Sequence, residues 1–322
     1  MTTRSAGALD LPVLGFGGSA IGNLFRAVSN EDAARTIEAA WVAGIRYFDT
    51  APHYGLGLSE RRLGETLRAH PRHEYLVSTK VGRLLVPAGT MTDRDDEGFE
   101  VAATHHRVRD YSADGVRRSI EASLERLGLD RIDIVLIHDP DDHADEAIEH
   151  AAPALSALRA EGTIRSYGAG MNQSALLTRI VCETDADVVM VAGRYNLLDQ
   201  TAARDLFPAA RCRGVSVINA GVFSSGLLGL AWPSPDATYD YRPASTALVE
   251  RAQHLARICQ RFGLDLPAVA LAFAAGHPSA ASVVVGLRSP EEVADVVRRK
   301  AQPIPEGIWA ALREEHLIDD CI

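Results

Sequence analysis

The chain has 322 residues, 47% hydrophobic and 24% charged, an ordinary composition for a folded globular protein. Its formal net charge of −10 argues against nucleic acid and against anionic membrane surfaces as partners. The length suits either one large barrel or two average domains.

Residues 1–7 contain no apolar run and are expected to form a short tail, not a signal peptide. From there short β-branched runs alternate with longer amphipathic ones. Strands are predicted at 13–17, 46–49, 75–80, 134–138, 164–168, 188–192, 215–219 and 282–285. Helices are predicted at 31–43, 59–69, 113–127, 145–161, 174–183, 202–213, 246–262, 267–276 and 290–299. Asn30 is the expected N-cap of the first helix, with Glu31 and Asp32 in its first turn, and Gly44 its expected stop. Ser289-Pro290-Glu291-Glu292 starts the last predicted helix.

Eight strands, each followed by a helix, predict an α/β fold of the (β/α)₈ TIM barrel type, as one domain over 1–322. A doubly wound sheet would need a glycine fingerprint after the first strand. Gly15-Phe16-Gly17-Gly18-Ser19-Ala20 lacks the third glycine and the later acid. Two long insertions, 83–111 after the third strand and 226–245 after the seventh, are expected at the mouth as substrate or cofactor walls. The longest apolar stretches, 266–275 and 280–287, are too short to span a bilayer. Cys182, Cys212, Cys259 and Cys321 form no CxxC pair and are expected to be buried thiols, with one near the C-terminus, in a reducing compartment. A soluble cytoplasmic protein is expected, with no obligate protein partner.

Asp49, Tyr54, Lys80 and His138 each stand where a predicted strand gives way to a loop. In a parallel barrel such positions gather at the C-terminal mouth, where barrel enzymes hold their chemistry. A phenol has a pKa of about 10, and a neighbouring ammonium favours its ionised form. Lys80 would supply that charge, Asp49 would hold Lys80, and His138 would orient a reacting oxygen. Taken singly, each has a plain structural role: packing, a solvated cation, a helix cap, a buried imidazole. Four at successive strand ends are harder to explain that way. His105-His106 are adjacent residues, poorly suited to share one ion, and no metal site is expected.

The stretch Gly44-Ile45-Arg46-Tyr47-Phe48-Asp49-Thr50-Ala51-Pro52-His53-Tyr54-Gly55, followed by Ser59-Glu60 and Leu63-Gly64, resembles the signature of the aldo-keto reductases. Lys80, His138 and the run Leu124-Glu125-Arg126-Leu127-Gly128-Leu129-Asp130 extend the resemblance over essentially the whole chain. It implies a barrel that binds a nicotinamide cofactor without a Rossmann domain. It also implies Tyr54 as general acid or base, tuned by Lys80 and Asp49, with His138 orienting the substrate.

The resemblance further implies cofactor contacts at Asn172 for the carboxamide and at the loop Ser224, Ser225, Gly226 and Leu228 for the pyrophosphate, with Phe223 in place of the usual stacking tyrosine. Met171 stands where a serine is usual, and Ala220 near the usual tyrosine. At the adenosine end, Gly286 and Glu292 occupy the positions of a 2′-phosphate-binding lysine and arginine, and a carboxylate there favours NAD. Arg288 is a cation that would suit NADP instead. NAD is the expected cofactor, NADP the alternative.

Further stretches, such as Lys80-Val81-Gly82-Arg83 and Ile137-His138-Asp139-Pro140-Asp141, are similar to a sugar-oxidising group of that family, which also contains pyridoxal-oxidising members. The resemblance implies oxidation of an aldose of the L-fucose or D-threo type at C1 to the lactone. A sugar would need polar walls, for which His53, Arg83, Asp139, Arg194, Asn196, Tyr239 and Tyr241 are candidates. A pyridoxal-like substrate would need an aromatic slot, from Phe25, Tyr54 and Trp232. An NADPH-dependent carbonyl reductase and a redox-sensing nicotinamide-binding subunit without turnover are the other readings.

Overall fold

Residues 3–6, 9–88, 94–240 and 242–319 are described, from a computed structural model of the chain. The eight expected strands are β1 (Leu14–Gly17), β2 (Tyr47–Asp49), β3 (Leu76–Val81), β4 (Ile132–His138), β5 (Ile164–Met171), β6 (Val188–Ala192), β7 (Ser216–Ala220) and β8 (Ala280–Gly286). Each pairs in parallel with the next, and β8 returns to β1 to close a barrel. These strands are apolar on both faces because helices cover the outside and side chains fill the inside. Long loops after β3 and β7 lie at the mouth, as the two insertions require.

The alternation of side chains along a strand sets the interior. Tyr47 and Asp49, Ser78 and Lys80, and Ile134, Leu136 and His138 lie two apart, each set on one face of its strand. The register puts Asp49 opposite Ser78, Lys80 opposite Leu136, and His138 opposite Gly170. Tyr47 fits because the facing position on β1 is Gly15, where an added Cβ would lie 2.6 Å from the Tyr47 ring.

Several expectations are corrected. Residues 3–6 are not a free tail: Thr3–Ala6 pairs antiparallel with Leu9–Pro12. Leu9 and Leu11 then pack among Tyr47, Ile134, Val188 and Ile218, closing the end of the barrel opposite the site. Burying two leucines contributes on the order of 3–6 kcal/mol, more than a loose tail could gain. Ser29, not Asn30, caps the first helix (Asn30–Val42), accepting from the Asp32 N–H, while Asn30 accepts from Arg62 Nε at 3.0 Å. The helix expected at 145–161 is interrupted by a π turn over Ala147–Ala151, since Pro153 has no N–H to offer the preceding turn. The helix expected at 202–213 is likewise split into Thr201–Arg204 and Leu206–Arg213, ahead of Pro208. A helix at Gly307–Glu314 and a hairpin of Arg83–Pro87 with His105–Arg109 were not anticipated. Cys182 and Cys212 are exposed and only Cys259 is buried among the described cysteines, while Cys321 lies outside the described residues. No single helix among the described residues is long and apolar enough to cross a membrane.

Candidate active site at the barrel mouth

Asp49 ends β2, Lys80 is the penultimate residue of β3 and His138 ends β4, so all three stand at the same end of the barrel. Tyr54 reaches them from the turn after β2. That turn is held by Thr50 Oγ1 donating to Ser59 Oγ at 2.8 Å and Ser59 Oγ donating to the Gly18 carbonyl at 2.8 Å. The turn also packs on Gly22, where an added Cβ would sit 2.9 Å from the Tyr54 carbonyl carbon. The buried Glu60 accepts from Thr79 Oγ1 at 2.7 Å and from Arg126 Nε at 2.5 Å, tying the following helix (Leu58–Leu67) to β3 beside Lys80.

The Lys80 ammonium is almost wholly buried and donates to both Asp49 oxygens, at 2.9 and 2.8 Å, and to the Thr50 carbonyl at 2.9 Å. Three acceptors match its three protons, so the charge is fixed in place. Its Nζ lies 4.8 Å from the centre of the Tyr54 ring. The His138 ring stands edge-on to Tyr54, with centres 5.8 Å apart. The four expected residues therefore form one cluster.

Beneath them lies a chain that the sequence reading missed. Ser78 Oγ donates to Asp49 Oδ1 at 2.7 Å, and Tyr47 Oη lies 2.9 Å from Ser78 Oγ. The single Ser78 proton is committed to Asp49, so Tyr47 is the donor to Ser78. Burial, followed by the Asp49 carboxylate, holds the Tyr47 phenol well above its ordinary pKa, which keeps that proton in place. The spacing of Tyr47 to Asp49 and of Ser78 to Lys80, two residues each, carried the signal.

A second layer of charge surrounds His138. Arg83 donates to Asp139 Oδ2 at 2.5 Å and approaches His53 Nδ1 at 3.4 Å. Arg109 donates to the Asp139 carbonyl at 2.9 Å, and Arg107 to the His53 carbonyl at 3.1 Å. Arg107 is itself paired with the buried Asp95 at 2.5 Å. Burial first, then the Arg83 and Lys80 cations, depress His138 well below the usual imidazole range. Burial, Arg83 and Arg107 bring His53 down to about 2. Both rings are neutral at physiological pH, so His138 can donate from one nitrogen and accept at the other. Phe99, carried by the first insertion, brings its ring within 5.0 Å of His53 and 6.1 Å of Tyr54, and sequence reasoning did not single it out.

A cleft of about 620 Å³ runs from Asp49 and Tyr54 past Asn172, Ala220, Phe223, Ser224, Ser225 and Gly226 to Gly286, Arg288 and Glu292. Ser224 and Ser225 both adopt positive φ, and Ser224 Oγ is buried with no partner among the described residues. An elongated cleft lined by a hydroxyl lacking its bond fits a dinucleotide with its pyrophosphate at this loop. Leu228 corrects an expectation: it is fully buried in the core, donates its N–H to the Phe223 carbonyl at 3.0 Å, and does not line the cleft. Glu292 folds back on its own helix start, accepting the Arg288 N–H at 2.9 Å, with Arg288 Nε 3.7 Å from its other oxygen.

Beside this cleft, and sharing Asn172 and Asp240 with it, is a recess of about 440 Å³ lined by Arg83, Asp139, Asp141, Asn172, Gln173, Arg194, Asp240 and Arg242. Arg194 pairs with Asp240 at 2.9 Å across from the Arg83–Asp139 pair. Tyr239 lines the main cleft, as does Phe25. Asn196 does not form a wall: its amide is wholly buried and spent on Gly193, Leu198 and Asp199 of its own turn. Trp232 is exposed and lines neither cavity, and Tyr241 lies outside the described residues.

Comparison with known proteins places this geometry. Residues 13–315 match the model of the aldo/keto reductase family. The chain is 46% identical over 321 residues to a D-threo-aldose 1-dehydrogenase from a Pseudomonas species, covering 98% of this chain and 97% of the relative. It is 37% identical to a pyridoxal 4-dehydrogenase from Microbacterium luteolum, covering 96% of this chain and 95% of the relative. Its fold is similar to an aldo-keto reductase from Bacillus halodurans in its holo form, with a TM-score of 0.77 and 26% identity over 99% of this chain and 97% of that one.

Proposed function

Because the chain belongs to the aldo/keto reductase family, and is thus an NAD(P)-dependent oxidoreductase, we propose that it oxidises an aldose at C1 to the lactone, with NAD as the preferred cofactor. The substrate class is of the L-fucose or D-threo-aldose type. The observation that carries the aldose over an apolar carbonyl compound is the recess beside the cleft. It is walled by two guanidinium–carboxylate pairs, by Asp141 and Arg242, and by two side-chain amides. Such a wall offers donors and acceptors together, as a polyhydroxylated ring needs, and carries no large excess of either charge. The similarity to a D-threo-aldose 1-dehydrogenase over nearly the full length supports the same substrate.

Tyr54 takes the proton of the anomeric hydroxyl, and the fixed Lys80 ammonium supports the negative charge on the phenol that must receive it. Neutral His138 donates to the same substrate oxygen and fixes its direction. Asn172, Phe223 and the loop from Ser224 to Gly226 would hold the nicotinamide cofactor, which when bound accepts the hydride from C1. Preference for NAD rests on the far end of the cleft. There Glu292 stands 3.7 Å from Arg288, and Arg299 pairs with Asp265 at 3.2 Å and reaches Asp295 at 3.8 Å, so carboxylates beside both arginines oppose a 2′-phosphate.

A pyridoxal-type substrate is the second reading, favoured by the rings of His53, Phe99 and His138 around Tyr54 and by the relative that bears that name. A substrate panel decides between them: L-fucose, D-arabinose, L-galactose and pyridoxal, each assayed with NAD and with NADP. Turnover of an aldose with NAD, in preference to pyridoxal, is expected. Turnover of pyridoxal alone would replace the aldose assignment.

A further inference from the structure

We propose that Asp139, positioned by Arg83, recognises the hydroxyl on the carbon next to the reacting centre and restricts the enzyme to substrates that carry one. The proposal rests on the aldose assignment above. Asp139 follows His138 directly, and its Oδ2 lies 3.5 Å from His138 Nε2. A substrate oxygen bonded to that ring nitrogen therefore lies beside this carboxylate. In a gauche vicinal diol the second oxygen is about one hydrogen-bond length, roughly 2.8 Å, from the first. A hydroxyl on C2 of an aldose bound through its anomeric oxygen is then within reach of Asp139.

The carboxylate is built into place. Arg83 grips Oδ2 at 2.5 Å, Arg109 grips the backbone carbonyl at 2.9 Å, and the backbone has a φ of +39°, which a residue with a side chain rarely adopts. Strain of this kind persists where the surroundings dictate it, and it clusters at functional sites. Two polar groups here lack partners among the described residues. Asp139 Oδ1 accepts no hydrogen bond, and the Arg83 Nε proton is buried without an acceptor. Both residues line the recess with Asn172 and Gln173. Burial raises the Asp139 carboxyl above its usual range while Arg83 opposes the shift, so a further donor would be welcome at its free oxygen. A hydroxyl proton supplies that donor at Oδ1. A C–H in its place does not. Sites built to bond a substrate hydroxyl reject the analogue that lacks it, because their own polar groups are then left unpaired.

The test compares kcat/KM for an accepted aldose and its 2-deoxy analogue. The wild-type protein is expected to favour the 2-hydroxylated sugar by about tenfold or more. Asp139→Ala should bring that ratio close to one while cofactor binding, followed by fluorescence titration, persists. Should Asp139→Ala fail to bind cofactor, Arg83→Met, which releases the carboxylate but keeps it present, should narrow the same ratio. A wild-type ratio near one, or an undiminished ratio in the variants, overturns the proposal while leaving aldose oxidation intact. A wild-type protein that binds NAD but turns over no aldose removes the aldose assignment, and this proposal with it.

Discussion

Lys80 Nζ bonds both oxygens of Asp49 in a nearly enclosed pair, at 2.9 and 2.8 Å, while standing 4.8 Å from the centre of the Tyr54 ring. The ammonium thus has two attachments of different kinds. One fixes it structurally, the other presents it to the phenol.

Removing either attachment has a distinct signature. Tyr54→Phe is expected to lower kcat by about 10²–10⁴-fold, with the cofactor dissociation constant nearly unchanged. Lys80→Met should do the same and also destabilise the fold by about 3–5 kcal/mol, since it leaves Asp49 buried and unpaired. Adding Asp49→Asn to Lys80→Met should recover part of that loss in urea unfolding. A Lys80→Met protein as stable as wild type would contradict the buried pairing.

The chain beneath the pair predicts an asymmetry. Ser78→Ala removes a donor to Asp49 and also strands the Tyr47 hydroxyl. Tyr47→Phe removes one bond and leaves Ser78 still donating to Asp49. Ser78→Ala should therefore cost about 1–3 kcal/mol and Tyr47→Phe about 0.5–1.5 kcal/mol. The double variant should cost less than the sum, by the coupling of neighbours in one network. Additive losses in the unfolding cycle would mean that the two hydroxyls act independently.

Two neutral histidines set a pH dependence with a definite sign. Unfolded, His53 and His138 titrate near pH 6.5. Folded, His53 is depressed to about 2 and His138 well below its ordinary value. Above pH 6.5 neither state holds the extra protons, and stability is at its full value. As pH falls below 6.5 the unfolded chain takes up protons that the folded chain refuses. Stability then declines by at most about 1.4 kcal/mol per pH unit for each histidine, until the folded values are reached. Urea unfolding at pH 7 and pH 5 measures the decline, and His53→Gln should flatten it. An unchanged slope in that variant would show that burial of His53 is not its source.

At the cofactor's far end, Glu292 accepts the Arg288 N–H and partly cancels the guanidinium charge. Wild-type protein is expected to bind NAD at least about tenfold more tightly than NADP. Glu292→Ser keeps a small polar group at the helix start, removes the repulsion, and should narrow that difference. Equal affinities in the wild type would refute the assignment of the carboxylate.

The barrel itself was legible in the amino-acid order. Alternating strand and helix periods depend on local burial patterns, and the eight predicted strands fall within a few residues of the observed ones. Errors arose where one residue changes a local hydrogen bond, as at Ser29, Pro153 and Pro208, or where a short segment finds a distant surface, as Leu9 and Leu11 do beneath the barrel. Asp49, Lys80 and His138 at strand ends, and Tyr54 in the turn just after one, could be picked out because a parallel barrel brings all such ends together.

What the sequence alone determined, then, is the architecture and the gathering of Asp49, Tyr54, Lys80 and His138 at one end of the barrel. Both follow from periodicity and from position relative to strand ends. Only the tertiary structure showed that Tyr47 and Ser78 stand behind Asp49, that Leu228 is spent in the core and Asn196 in its own turn, and that Arg83 grips Asp139 beside His138. The pairings of Tyr47 with Ser78, of Ser78 with Asp49 and of Arg83 with Asp139, 29 to 56 positions apart, depend on register between strands and on how the long loop after β3 lies across the mouth. They are set by the closing of the barrel, which no local pattern encodes.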